Sequence, residues 1–389
     1  LCFFVSSLYY GVGGAWYWLE FNDGWFLSAK WKDEIEHIIP IYFYVFLYVY
    51  CMSIILNYFI LKGEKSKYSD ENNNYSNFLF PLVVIGTLSS IYVIVKGLGA
   101  NSKDEFINDP FSLIFYQFAD VLIACILYYF TICKKKNIFY IILAVFLAYC
   151  IFTGLRYKIA LMCGSLILFY IYSARLNLKK VLFLTCSVAT ILTIFSVLTV
   201  TRNKFSGVNT SEIAYLDMDK LMYGFFAETN SLYGFASAFF TYDERLPYVG
   251  MTPIIEVFEQ FIPRFLYPDK NLYTHLKDIA YSISYSKESE MSGTTVPFFG
   301  EYYVMAGWPG ILIGCLVYTF LVFFLMKLVI KFSKNFKQNL IGVSLVSIYC
   351  GYFYYSRGSV SLISKGIIFI ILPYILLVWS HGKKFLISK

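Results

Sequence analysis

The sequence predicts an all-α fold: a polytopic transmembrane helix bundle of about 10 spans with one large structured outer loop. Three observations predict it. Of the 389 residues, 58% are hydrophobic and only 15% charged, where a soluble domain carries roughly 25%; mean hydropathy is +0.61. So few charges cannot cover a compact soluble body of this size. Apolar runs of about 20 residues, the length that crosses a bilayer, recur along the chain. Backbone amides and carbonyls cannot stay unpaired in hydrocarbon, so these runs are helices, and the short alternating strands of an outer-membrane barrel are absent.

The runs cover residues 1–19, 38–61, 77–98, 111–133, 138–153, 157–174, 181–201, 303–330, 339–355 and 360–380. Three segments follow: 1–201 with the first seven spans, 202–302 as the large loop, and 303–389 with the last three spans and the C-terminus. Leu1 lies inside an apolar run, so the natural chain is expected to extend further N-terminally. Eight of the nine cysteines lie within apolar runs, Cys133 ends one, and the loop has none. There is no disulfide framework or CxxC metal pair, and three scattered histidines suggest no zinc site.

Basic residues set the orientation. Sixteen of the 32 Lys and Arg fall on one side of the alternating connections, eight on the short connections of the other side and eight in the large loop. By the positive-inside rule both given termini are cytoplasmic and 202–302 faces outward. The net charge of +7 expresses this bias and not nucleic-acid binding, since no basic stripe forms. The loop holds 13 of the 25 acidic residues. Thr252-Pro253 reads as an N-cap and first helical position. Ile254, Val257, Phe258 and Phe261 follow at helical spacing, with Glu256, Glu259 and Gln260 opposite. A short amphipathic helix at the membrane surface is expected there, ended by Pro263. The aromatic stretch from Ser211 to Tyr242 is expected to fold back on the bundle.

Several outward cations break the charge rule. Only 38 residues separate Lys136 from Arg175, whereas two passes and a turn need about 43, so the turn carrying Arg156 and Lys158 should lie below the outer headgroups. A guanidinium there costs several kcal/mol unless paired or hydrated. Arg202 closes the seventh span, Arg264 follows Pro263, Lys270 lies just beyond, Arg357 sits in a tight turn and Lys365 enters the tenth span. Taken singly, each suits snorkelling or a carboxylate partner; Asp120 is a ready partner for Lys365 or Arg156. Together they suit a polyanion, because Arg forks match phosphate oxygens. Glu301 stands where the loop re-enters the membrane, as a base or as an ion-pair anchor. Outward tyrosines, including Tyr267, Tyr302 and Tyr303, suit packing or stacking on sugar rings. Asp217-Met218-Asp219 has the DxD spacing of metal-dependent nucleotide-sugar enzymes, a weak match on a lone loop. No GxSxG, HExxH or Walker-type loop is present.

The stretches Phe261-Ile262-Pro263-Arg264-Phe265-Leu266-Tyr267-Pro268-Asp269-Lys270, Gly293-Thr294-Thr295 through Glu301-Tyr302-Tyr303, and Ala306-Gly307-Trp308-Pro309-Gly310 resemble the Wzy-type O-antigen polymerases, the oligosaccharide repeat-unit polymerases. They cover about 40 residues; hydropathy covers much of the remainder. The resemblance implies a fold like that of class C glycosyltransferase-like membrane enzymes. It implies an inverting, metal-independent transferase, without cofactor, at the outer face of the bacterial cytoplasmic membrane, joining undecaprenyl-pyrophosphate-linked glycan units within membrane lipid. A chain-length regulator protein is a further implied partner. In that scheme Glu301, Arg264 and Arg357 are catalytic, Arg156, Lys158, Arg202, Lys270 and Lys365 hold the pyrophosphate, and Tyr267, Tyr302 and Tyr303 bind sugar. Two alternatives stand beside it. An O-antigen ligase shares the layout and carries a loop histidine, for which His275 is the candidate. A lipid-linked oligosaccharide flippase would use Asp120, Lys365 and Glu301 as coupling sites.

Overall fold

The computed structural model describes residues 7–14, 35–61, 76–99, 110–131, 136–173, 177–203, 216–226, 231–244, 246–259, 296–332 and 340–348, with single positions between and beyond them. In chain order the helices are α1 (Ile35–Leu61), α2 (Ser76–Gly99), α3 (Pro110–Phe118), α4 (Val121–Thr131), α5 (Lys136–Thr153), α6 (Arg156–Ser173), α7 (Leu178–Thr201), α8 (Met218–Phe226), α9 (Ser231–Glu244), α10 (Thr252–Glu259) and α11 (Phe298–Phe332), preceded by a π-helical turn, Ser7–Val12. Apart from a two-residue antiparallel ladder, β1 (Arg202–Asn203) with β2 (Gly207–Val208), regular structure among the described residues is helical. Among the described residues, five segments are long and apolar enough to cross a membrane: Glu36–Leu56, Leu79–Leu98, Ile114–Thr131, Leu178–Leu198 and Phe298–Lys331. Asn137–Thr153 and Tyr157–Ile171 are shorter apolar helices.

The chain divides into two compact units. One combines 1–62, 226–324 and 350–364; the other combines 63–225, 325–349 and 365–389. In the second unit α2 packs on α3, α4 and α5, and α4 on α5 and α6. Every residue from Val121 to Tyr129 is buried, as expected for a helix that is apolar on all sides and central to its bundle. The run expected as one span over 111–133 is two helices, because the ladder tightens at Ala119–Asp120 into three-residue steps: Asp120 N–H donates to Gln117, Leu122 to Ala119 and Ile123 to Asp120. α5 and α6 are joined as the short spacing predicted. Gly154 takes φ +69°, and Leu155 N–H closes the helix end on Cys150 C=O at 3.0 Å, the left-handed stop that favours glycine.

α7 shows the solvent this unit is built for. Most of its apolar surface is uncovered, Leu182 and Phe183 included. Its exposed hydroxyls turn inward on their own backbone: Thr185, Ser187, Thr190 and Thr193 donate to carbonyls four residues earlier at 2.8–3.0 Å. Polar groups facing hydrocarbon have no water to bond and must be satisfied internally.

In the first unit α9 lies against α1, so part of the expected outer loop is core. Tyr42 and Ser231 hydroxyls meet at 2.5 Å. The rings of Tyr42, Phe46, Phe235 and Phe299 interlock, all but the tilted Tyr42–Phe235 pair edge to face, with centroids 4.6–5.9 Å apart, a geometry that adds to area burial.

α11 is two helices end to end. Gly307 takes φ +66°, ψ −145° after a non-helical Ala306, and the chain bends so far that a Cβ on Gly310 would stand 2.1 Å from the Tyr302 carbonyl oxygen. The sequence explains the break. Helical continuation would give the Met305 carbonyl the amide of residue 309, but Pro309 has none. The loop supplies the missing donors instead: Val249 N–H bonds to Val304 C=O and Gly250 N–H to Met305 C=O, both at 3.0 Å. The motif Ala306-Gly307-Trp308-Pro309-Gly310 is therefore a hinge whose orphaned carbonyls dock the segment before α10. A Cβ at Gly307 would also meet Tyr248 Oη at 2.8 Å. Gly307→Ala is expected to destabilise the protein by about 1–3 kcal/mol, read as a lowered thermal midpoint in detergent.

Candidate active site

Glu301 sits in the first turn of α11, after Pro297, whose carbonyl accepts the first helical amides, Gly300 N–H at 2.8 Å and Glu301 N–H at 3.1 Å. A carboxylate there is favoured by the exposed amides of the helix start. Its Oε1 lies 2.7 Å from His275 Nε2, and Val360 N–H donates to its Oε2 at 2.5 Å. His275 Nδ1 faces Glu256 Oε1 at 3.7 Å. The three side chains are almost fully enclosed, at 1–2% exposure. One imidazole thus stands between two carboxylates from α10 and α11. Tyr242 of α9 secures the backbone behind it: its hydroxyl lies 3.4 Å from His275 C=O and 3.5 Å from Asp278 Oδ2. Burial and the Asp278 carboxylate push the Tyr242 hydroxyl pKa up, so it remains a donor.

Burial by itself would lower the basicity of His275, but the Glu256 and Glu301 carboxylates on its two sides outweigh it and raise the pKa to about 9. At neutral pH the ring is an imidazolium with both N–H groups directed at carboxylates. The cluster can orient a carboxylate, hold a compensating positive charge beside it and accept a proton from a hydroxyl that reaches Glu301.

α10 begins one residue before the expected start. Ile254 and Ile255 amides bond to Met251 C=O, and Thr252 donates its hydroxyl to Val249 C=O, so Met251 is the cap. Glu256, expected on the polar face, is buried, while Phe258 of the apolar face and Ile255 are exposed.

Lys158 lies in the second unit. It is fully buried and forms an ion pair with Asp120 at the α3/α4 break. It donates to Tyr149 Oη at 2.8 Å, and its ammonium sits 4.2 Å from the centroid of the Tyr116 ring. Among the described residues the partner of Asp120 is Lys158, because the packing of α4 on α6 brings the third residue of α6 to the break. Tyr302 and Tyr303 are core rings. Tyr302 packs on Gly314 and on Phe298, centroids 4.7 Å apart, and Tyr303 stacks on Phe239 at 4.9 Å. Tyr267 is outward and partly exposed. Asp217 caps α8, accepting Lys220 N–H at 2.8 Å, which accounts for the DxD spacing. Arg264, Lys270, Arg357 and Lys365 lie outside the described residues, as do the side chains of Arg156 and Arg202.

His275 and Glu256 are the residues that periodicity did not find. The available signal was weak: a lone histidine in a loop otherwise rich in carboxylates. Compared with known proteins, the chain matches no family model, no curated protein and no solved structure.

The raised pKa of His275 contributes stability that is complete below its ordinary value of 6.5 and lost as pH rises through about 9. The thermal midpoint is therefore expected to fall across that window. Glu256→Gln is expected to lower the His275 titration midpoint by about 1 pH unit, read by NMR of a chain with three histidines. Lys158→Met strands the Asp120 carboxylate and is expected to cost about 3–5 kcal/mol, much of it recovered by adding Asp120→Asn, as measured by unfolding in mixed micelles.

Proposed function

We propose that this chain is a membrane glycosyltransferase that joins lipid-diphosphate-linked oligosaccharide units, a repeat-unit polymerase working at the outer face of a bacterial cytoplasmic membrane. The observation that carries the reading is the enclosed Glu301 carboxylate at the head of a long apolar helix, bonded to His275 at 2.7 Å. In this reading the ten-span layout of the sequence holds and the 202–302 loop faces outward. An acceptor sugar hydroxyl attacks the anomeric carbon of the donor glycan. The new bond forms to the acceptor oxygen, the bond to the diphosphate oxygen breaks with its electron pair on the diphosphate, and Glu301 takes the hydroxyl proton. His275 places a positive charge 2.7 Å from the Glu301 carboxylate. Arg264, Arg357 and Lys270 are assigned to the departing diphosphate. Arg357 precedes by three residues the amide that grips Glu301 Oε2. Because Glu301 is 1% exposed, the acceptor must displace a covering group as it enters.

His275 on Glu301 also favours the second reading, an O-antigen ligase transferring glycan to lipid A-core, since that resemblance turns on a loop histidine. The surface-glycan gel of a deletion strain separates them: one repeat unit on lipid A-core is expected for a polymerase, and none for a ligase or flippase. Glu301→Gln is expected to reduce long-chain polymer by about 100-fold or more at unchanged membrane abundance. Near-normal ladders would reduce Glu301 to an ion-pair anchor.

A further inference from the structure

α10 carries an apolar face that the protein leaves open. Met251, Ile255 and Phe258 are 60%, 54% and 71% exposed, while Glu256 and Pro253, on the opposite side, are buried. At 100° per residue the three exposed side chains fall within an arc of about 60°. A helix in water turns its apolar side to the core; this one turns a carboxylate to the core and its apolar side out. The pattern continues along the chain, since Leu246, Tyr248, Ile262, Leu266 and Tyr267 are exposed as well.

The position of α10 identifies what covers this face. The strand of chain leading into it is fastened by the Val249 and Gly250 amides to the Val304 and Met305 carbonyls, at the break of α11. From Trp308 onward that helix runs uninterrupted to Phe332, about 37 Å at 1.5 Å per residue, enough for the roughly 30 Å hydrocarbon core. Its first turns present Trp308, Leu312 and Ile313 outward, a tryptophan followed by aliphatic side chains, as at a headgroup boundary. α10 is therefore tethered beside the break from which the long helix enters hydrocarbon.

The geometry points to bilayer acyl chains as the occupant: α10 is an interfacial helix whose outer face sits in lipid while its inner face presents Glu256 to His275. One eight-residue helix thereby joins the membrane surface to the imidazole that contacts Glu301, and Glu256 acts as a positioning residue. This inference requires a membrane around the chain and does not depend on glycosyl transfer.

The test uses the full chain in nanodiscs containing phosphatidylcholine with a photoreactive diazirine in the acyl chain. After illumination, mass spectrometry is expected to find lipid adducts on Met251, Ile255 and Phe258, as on the open face of α7 at Leu182 and Phe183. The double substitution Ile255→Asn with Phe258→Asn is expected to abolish adducts in this segment and leave those on α7 intact. Adducts on α7 with none on α10, or an adduct pattern unchanged by the double substitution, would overturn the inference. Cross-links between α10 segments of two copies in place of lipid adducts would also overturn it, assigning the face to self-association.

Discussion

A single imidazole clamped between two carboxylates holds three segments of the first unit in register. His275 and Glu301 are 26 residues apart, and Glu256 comes from a third segment. None of the three could be buried alone, because an isolated charge taken from water into an apolar interior costs several kcal/mol. Together they become a short chain of charge-assisted contacts. The same contact ties α10 to α11 and leaves Tyr242 to secure the backbone on the far side. The second oxygen of Glu301 receives the Val360 amide, so a segment from near the C-terminal end is drawn to the same carboxylate.

Helix breaks place the charges in both units. In α11 the break after Met305 frees two carbonyls that a loop then caps, and that docking presents Glu256 to His275. In the second unit the tightened steps around Ala119 put Asp120 where a buried lysine reaches it. Non-helical backbone at membrane depth is tolerated only where protein satisfies it. At both breaks the ionisable group is met by a partner from another helix or segment, as an expensive intramembrane charge requires.

The aromatic richness of the chain resolves along the same line. Tyr302 and Tyr303 follow Glu301 directly, yet both rings are spent on packing, one against Gly314 and Phe298 and the other against Phe239 and Trp308. They hold the first turns of α11 rigid around the carboxylate. Tyr267 and Tyr248 keep an outward face. Adjacency in sequence to a reactive group thus separated into two roles, support beneath the site and surface beside it.

Much of the helical framework was legible in the residues. Hydropathy located α1, α2, α7 and the long part of α11, because a stretch that must cross hydrocarbon needs a run of apolar residues whatever its neighbours are. The short spacing between Lys136 and Arg175 foretold the tight α5–α6 turn, and the entry position of Glu301 marked it as unusual. What remained hidden depends on contacts between segments distant in sequence. Periodicity could say that α10 has two faces but not which one the protein covers, since in a membrane the apolar face can turn outward. It could not pair Lys158 with Asp120, or see that His275 lies between Glu256 and Glu301. Those choices follow from how the helices pack and where they break, and only the folded chain makes them.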